Sequence, residues 1–311
     1  MTNVAEWPRI VVVGAGAVGG YFGGMFAAAG APVVMIGRKQ FVEAVNRNGL
    51  LLERTQARER IRVGATVDMS AVHDAELVLF CVKSMDTSSA ARQMAPFLAS
   101  DATVVSLQNG VDNLDRIRDA ANVSAIPAAV YVAVSVPEPG HVKHLARGDV
   151  VVGPPSEETK YLAGIFPRAD IPCRISDNIE GELWVKLLCN CALNSISALG
   201  QARYGQIAEN SDARQLMQTV VEEVLAVARA AKVTLPNIAD PKAGMAAAMA
   251  IATQMSGALS STAQDLNRGR LTEIDSLNGY VSRRGAELGV NVPINHALFT
   301  LVKLAEQRLP P

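Results

Sequence analysis

The sequence predicts two architectures in one chain: an α/β domain on a mostly parallel sheet over residues 1–177, then an all-α domain over residues 178–311. Three observations lead there. Short apolar runs alternate with helix-like stretches in the first half. A glycine-rich loop joins the first such pair. Strand-like runs stop at Ser176-Asp177-Asn178, after which the apolar spacing is helical. A length of 311 residues agrees with about two domains of ~150 residues each.

The strand expectations are Arg9–Val13, Pro32–Ile36, Leu77–Val82, Thr103–Leu107, Val123–Val136, Val150–Val152 and Pro172–Ile175, with a helix over Met85–Leu98. Short apolar strands alternating with helices imply βαβ units and a parallel sheet covered on both faces. After Asn178, helices are expected over Glu180–Leu199, Asp212–Ala231, Pro241–Met255, Glu273–Leu288 and His296–Gln307.

Composition narrows the function. Lys+Arg total 29 against 30 Asp+Glu, a formal charge of -1, and no block of like charge occurs. Nucleic acid and anionic membrane are therefore not expected partners. No uninterrupted apolar run reaches bilayer length, and the N-terminus lacks a signal-peptide pattern, so a cytoplasmic location is expected. Four cysteines, Cys81, Cys173, Cys189 and Cys191, show no CxxC spacing and read as buried thiols. His141-x-x-His144 has no third ligand or helix to support a metal site, and no metal is expected.

Gly14-Ala15-Gly16-Ala17-Val18-Gly19 is a full G-x-G-x-x-G between a strand and a helix. The glycines permit a tight turn, close approach to a pyrophosphate, and close helix–strand packing. With the second strand at Pro32–Ile36, the context is that of a Rossmann-like dinucleotide-binding domain. An NAD site places an acid at the end of that second strand; here stand Arg38 and Lys39. A guanidinium suits a 2′-phosphate, so NADP (NADPH) is the expected cofactor, with Arg38 on the phosphate.

The helix from Glu182 to Leu199 is apolar nearly all round. At about 100° per residue, Lys186, Asn190, Asn194 and Ser197 fall within roughly 80° of one another, with Ser195 opposite. Burying an unpaired amide costs ~1–3 kcal/mol, so this stripe must face water or a polar cavity. A solvent-facing stripe is the plainer alternative.

Lys186-x-x-x-Asn190-x-x-x-Asn194, Ser260-Ser261-Thr-Ala-Gln264-Asp265 and Thr272-Glu273-Ile274-Asp275-Ser-Leu-Asn278-Gly279 follow the glycine loop in order. With Phe80-Cys81-Val82-Lys83 and Leu107-Gln108-Asn109-Gly110, the chain resembles the ketopantoate reductase family from Ile10 to Glu306. The resemblance implies NADPH-dependent reduction of the 2-keto group of ketopantoate to pantoate, in pantothenate biosynthesis, with a small 2-keto acid as substrate and a homodimer as candidate assembly. It also implies roles. Lys186 would be the general acid, and Glu273 would bind the product hydroxyl and orient Lys186. Asn190 and Asn194 would contact the substrate and Ser261 its carboxylate. Asn109 would sit against nicotinamide and substrate, and Lys83 near the nicotinamide end.

The residue types suit this chemistry independently, because a hydride-accepting ketone oxygen needs a proton-bearing cation beside it. Glu273 also reads as an ordinary helix-start acid, Asn109-Gly110 as a turn and Lys83 as an exposed strand-end lysine. The chain departs from the family where Gly257-Ala258-Leu259 and Arg203-Tyr204-Gly205 stand in place of substrate-side amides. That opens the substrate to a related 2-keto acid. A β-hydroxyacid dehydrogenase and a non-catalytic NADP-binding sensor are the competing readings.

Overall fold

A computed structural model describes residues 6–55 and 57–308. The chain divides into two compact units, Met1–Gln108 with Asp112–Ile179, and Asn109–Val111 with Glu180–Pro311.

The first unit is built on one sheet of ten strands: β1 Ile10–Val13, β2 Val33–Ile36, β3 Leu50–Arg54, β4 Ala57–Ile61, β5 Gly64–Thr66, β6 Leu77–Phe80, β7 Thr103–Ser106, β8 Ile126–Glu138, β9 His141–Val152 and β10 Cys173–Ile175. The strand order is β4-β3-β9-β8-β7-β6-β1-β2-β5, with β10 beside β9. From β8 to β5 every pairing is parallel; β1 lies between β2 and β6, with Val12 opposite Met35 and Leu79. The β8–β9 and β3–β4 pairs are antiparallel. All four residues of β1 and of β6 are buried, as expected of central strands covered on both faces.

Among the described residues this unit carries the α-helices α1 Ala17–Ala28, α2 Lys39–Asn48, α3 Thr87–Met94, α4 Asn113–Ala121 and α5 Glu157–Ile165. The expected helix over Met85–Leu98 is broken into a 3-10 turn at Ser84–Asp86, α3, and a second 3-10 turn at Ala95–Phe97. Pro96 accounts for the second break, since its ring and missing N–H disallow a continuing α-helix. Strands β3, β4 and β5 were not expected. In β4, Ala-Arg-Glu-Arg-Ile carries charge on its open face, and three-residue β5 is too short to show alternation.

The second unit contains no strand among the described residues. Its helices are α6 Ile179–Gly200, α7 Tyr204–Glu209, α8 Ser211–Ala230, α9 Pro241–Gln254, α10 Ser261–Asn267, α11 Asn278–Leu288 and α12 Pro293–Glu306. The expected helix Glu273–Leu288 begins instead as a 3-10 turn, Ile274–Ser276, and becomes α11 only at Asn278. By length and composition alone α6 could cross a bilayer. Most of it is buried in this unit's own core, where Trp184, Leu187, Leu188, Cys191 and Leu193 pack with Val220, Val224 and Ile274.

The tight fit of α1 on the sheet depends on glycine. A Cβ at Gly14 would lie 2.5 Å from the Val82 backbone nitrogen and 2.7 Å from the Cys81 carbonyl carbon, and Gly14 has φ +99°. A Cβ at Gly23 would lie 2.7 Å from Val12 Cγ2. Gly14→Ala combines a strained backbone, ~1–3 kcal/mol, with collision against main chain that cannot step aside. Thermal melting should show a lower Tm for this variant, and cofactor binding should weaken with it. An unchanged Tm would show that the loop has slack.

Candidate active site

Two sets of groups, one in each unit, carry the functional expectations. The first surrounds the glycine loop. Gly14 and Ala15 N–H groups both donate to the Ile36 carbonyl, at 3.0 and 2.8 Å, tying the loop to the end of β2. Gly16 is the N-cap of α1, and a Cβ there would meet nothing within 4 Å. The protein leaves that side open, beside the unpaired N–H groups of a helix start. Gly19 closes on the Gly14 carbonyl and Val12 instead. Gly14 makes the turn, Gly16 keeps the approach clear, and Gly19 lets helix and strand pack, which fits a dinucleotide pyrophosphate.

Arg38 is exposed at the N-cap of α2, directly after β2. Lys39 beside it lies 3.9 Å from Glu43, while Arg38 makes no ion pair among the described residues. Lys83 is the N-cap of the Ser84–Asp86 turn at the end of β6. Behind it a buried network sets the β6 and β7 ends. The Gln108 amide donates to the Val82 carbonyl at 2.9 Å and to Thr87 Oγ1 at 2.7 Å, and Thr87 donates to Asn113 at 3.0 Å.

The second set is centred on α6. Lys186 and Asn190 are half-buried, whereas Asn194 is 2% exposed and Ser197 fully buried. The stripe is therefore graded, open near Lys186 and sealed towards Ser197. The seal is specific. Tyr204, itself 7% exposed, donates its phenol hydrogen to Asn194 Oδ1 at 3.0 Å. Burial raises the Tyr204 pKa, so the phenol stays a donor. Asn194 Nδ2 lies 3.5 Å from Ser261 Oγ. Ser197 donates to the Ala202 carbonyl at 2.8 Å and accepts the Ser260 N–H at 3.1 Å. Ser260 caps α10 and donates to the Asn194 carbonyl at 3.1 Å.

Ser195, on the opposite face, donates to Asn278 Oδ1 at 2.6 Å. Asn278 Nδ2 donates to Asn295 Oδ1 at 2.9 Å, and Asn295 donates to Glu223 at 2.8 Å. This chain locks α6 to α11, α12 and α8 through the unit's interior.

Of the residues singled out in the sequence, the structure brings Asn109 and Glu273 together: Asn109 Nδ2 donates to Glu273 Oε2 at 3.0 Å. Asn194 and Ser261 also meet, with Ser261 exposed at the first turn of α10. Tyr204 was visible as a departure from the family, but its partnership with Asn194 was not, because no helical spacing links residue 194 to residue 204. The histidines are accounted for separately. His141 Nε2 is 3.0 Å from Glu53 Oε2, and His144 stacks on Tyr21 with ring centroids 4.7 Å apart. No cluster of three metal-ligating side chains occurs among the described residues.

The family description "Ketopantoate reductase PanE/ApbA" matches residues 10–157, and its C-terminal counterpart matches residues 178–306. The chain belongs to the ketopantoate reductase family. A 2-dehydropantoate 2-reductase of Pyrococcus horikoshii is 30% identical over 303 residues, covering 96% of this chain and 97% of its own. A solved PanE/ApbA family ketopantoate reductase from Ralstonia eutropha JMP134 superposes with TM-score 0.90 at 47% identity, over 96% of this chain and 99% of that one. A D-mandelate dehydrogenase solved with NADH and anilino(oxo)acetate also reaches TM-score 0.90, at 25% identity over 96% and 98%. The family thus accounts for both units and for the order of their motifs.

Proposed function

We propose that this chain catalyses NADPH-dependent reduction of the 2-keto group of ketopantoate, or of a related 2-keto acid, to the 2-hydroxy acid. The observation that carries the reading is the Asn109–Glu273 hydrogen bond in the unit that also holds the half-buried Lys186. Two distant motifs, 164 residues apart, meet as the proposed chemistry requires. Residence in the cytoplasm and assembly as a homodimer belong to the same proposal.

The cofactor supplies the hydride. Gly14 to Gly19 and the start of α1 would hold its pyrophosphate and Arg38 its 2′-phosphate, with Lys83 as the residue that would serve its nicotinamide end. Negative charge develops on the ketone oxygen, and the Lys186 ammonium stabilises it and donates the proton that completes the hydroxyl. Glu273, steadied by Asn109, accepts from the forming hydroxyl and orients Lys186. Asn190 and Ser261 supply polar contacts to the substrate, Ser261 to its carboxylate, while Asn194 forms the wall behind them.

A second reading within this activity concerns the substrate's side chain. Tyr204 occupies the side-chain Oδ1 of Asn194, and Ala258 offers only a methyl group. A site that hydrogen-bonds a substrate hydroxyl rejects an analogue lacking it by as much as ~10⁴. With Asn194 already engaged, this chain should accept 2-keto acids with an apolar substituent, as the D-mandelate dehydrogenase neighbour does by its name. Ketopantoate and 3,3-dimethyl-2-oxobutanoate, which differ by one hydroxyl, should therefore be reduced with kcat/KM values within ~10-fold of each other. Tyr204→Phe, by releasing the Asn194 oxygen, should move the ratio towards ketopantoate. A large ketopantoate preference in the unmodified enzyme would reject this second reading alone.

Lys186→Ala should retain NADPH binding and lose ~10²–10⁴ in kcat, the scale of a general acid. A Lys186→Ala enzyme within a few-fold of normal turnover would remove the lysine from the chemistry. For the cofactor, Arg38→Glu should weaken NADPH binding ~10- to 100-fold, the loss of one charge-assisted hydrogen bond, while sparing NADH. Fluorescence titration with both nucleotides reads this directly, and equal affinities before and after would exclude Arg38.

A further inference from the structure

The turn that bears Glu273 is held from behind by the last turn of α12. Glu306, the final residue of that helix, is 6% exposed. Its Oε1 accepts the Thr272 backbone N–H at 2.8 Å and the Thr272 hydroxyl at 2.6 Å. Thr272 Oγ1 in turn accepts the Ile274 N–H at 3.2 Å. Glu306 Oε2 forms a close ion pair with Lys303 Nζ, 2.7 Å away, and Lys303 also reaches Asp275 Oδ2 at 3.0 Å. Burial pulls the Lys303 pKa down, but its two carboxylates outweigh this and hold it above the ordinary value. Residues 272 and 275 are therefore both tied to α12, and Glu273 lies between them.

The placement runs against two general preferences. A carboxylate at a helix C-terminus opposes the macrodipole, and a buried one must be fully compensated. Buried ionic networks are commonly matched or bettered in stability by apolar side chains of the same volume. What such a network supplies, and apolar packing does not, is a directional constraint. Here the constraint acts on the main chain one residue before Glu273.

We propose that Glu306 is a positioning residue for the reduction, fixing the Thr272–Ser276 turn so that the Glu273 carboxylate stays in register with Asn109. The inference rests on the reading that Glu273 takes part in the reaction. Misplacement of a reacting group by about 1 Å costs on the order of 100-fold in rate, so partial slackening of the turn should be clearly measurable.

The test uses Glu306→Gln, Thr272→Val and Thr272→Ser in the full-length enzyme, with 2-keto acid kinetics, NADPH titration and Tm for each. Glu306→Gln and Thr272→Val should lower kcat by ~10-fold or more and raise KM for the keto acid, with NADPH affinity unchanged. Thr272→Ser, which keeps the hydroxyl, should restore both parameters. A merely structural role would reduce the amount of folded enzyme, lowering kcat with KM unmoved, and that outcome overturns the proposal. So does unmodified kinetics in Thr272→Val, which also decides the matter if Glu306→Gln fails to fold. Glu273→Ala, measured in parallel, separates the two levels. Normal kinetics there would sink the role of Glu273 itself, whereas a defective Glu273→Ala beside a normal Glu306→Gln would sink only the positioning role.

Discussion

A helix buried on almost every side that still carries five hydroxyl, amide and ammonium side chains can exist only if each buried polar group finds a partner. Much of the second unit follows from that requirement on α6. Ser195 is met by Asn278, Asn194 by Tyr204 and Ser261, and Ser197 by Ala202 and Ser260. These partners come from α7, α10 and α11, so satisfying one helix fixes the seats of three others. An unsatisfied buried group costs ~1–3 kcal/mol, a large part of the margin by which a domain is stable. The requirement relaxes around Lys186 and Asn190, which are half-buried and are the residues proposed to meet the substrate.

The first unit obeys a steric rule instead. Its central strands are apolar on both faces, and their specificity comes from how near α1 can approach. Gly14, Gly19 and Gly23 each remove a Cβ that would collide with the sheet or loop. Gly16 differs, because the space beside it is open. Four glycines of the same appearance in sequence thus divide into three that admit protein and one that faces open space.

Much of this was legible in the sequence. The parallel core could be read from β-branched runs and the glycine loop, and the second unit's long helices from their apolar period. The missed elements are informative. Charged β4 and three-residue β5 lack the period on which such readings rest, and the start of the helix expected over Glu273–Leu288 could not be separated from the 3-10 turn that precedes α11. Within the site, the residue types were readable and their division of labour was not. Lys186, Asn190 and Asn194 form one stripe by angle, yet burial sets Asn194 apart, because Tyr204 lies ten residues away through a turn. Thr272 and Glu306, separated by 34 positions, share no pattern at all.

Asn109–Val111 belong with the helical unit, and this shapes how the chain is made. These three residues interrupt a segment that otherwise builds the first unit, and the partner of Asn109 is 164 residues downstream. At ~5–20 residues per second, a ribosome delivers Glu273 roughly 8–33 s after Asn109. The nascent first unit therefore completes its sheet with one loop still waiting, and it must stay committed to that shape while the helical unit is made. The same delay means that truncated products ending before the Thr272–Ser276 turn would lack the Asn109–Glu273 hydrogen bond.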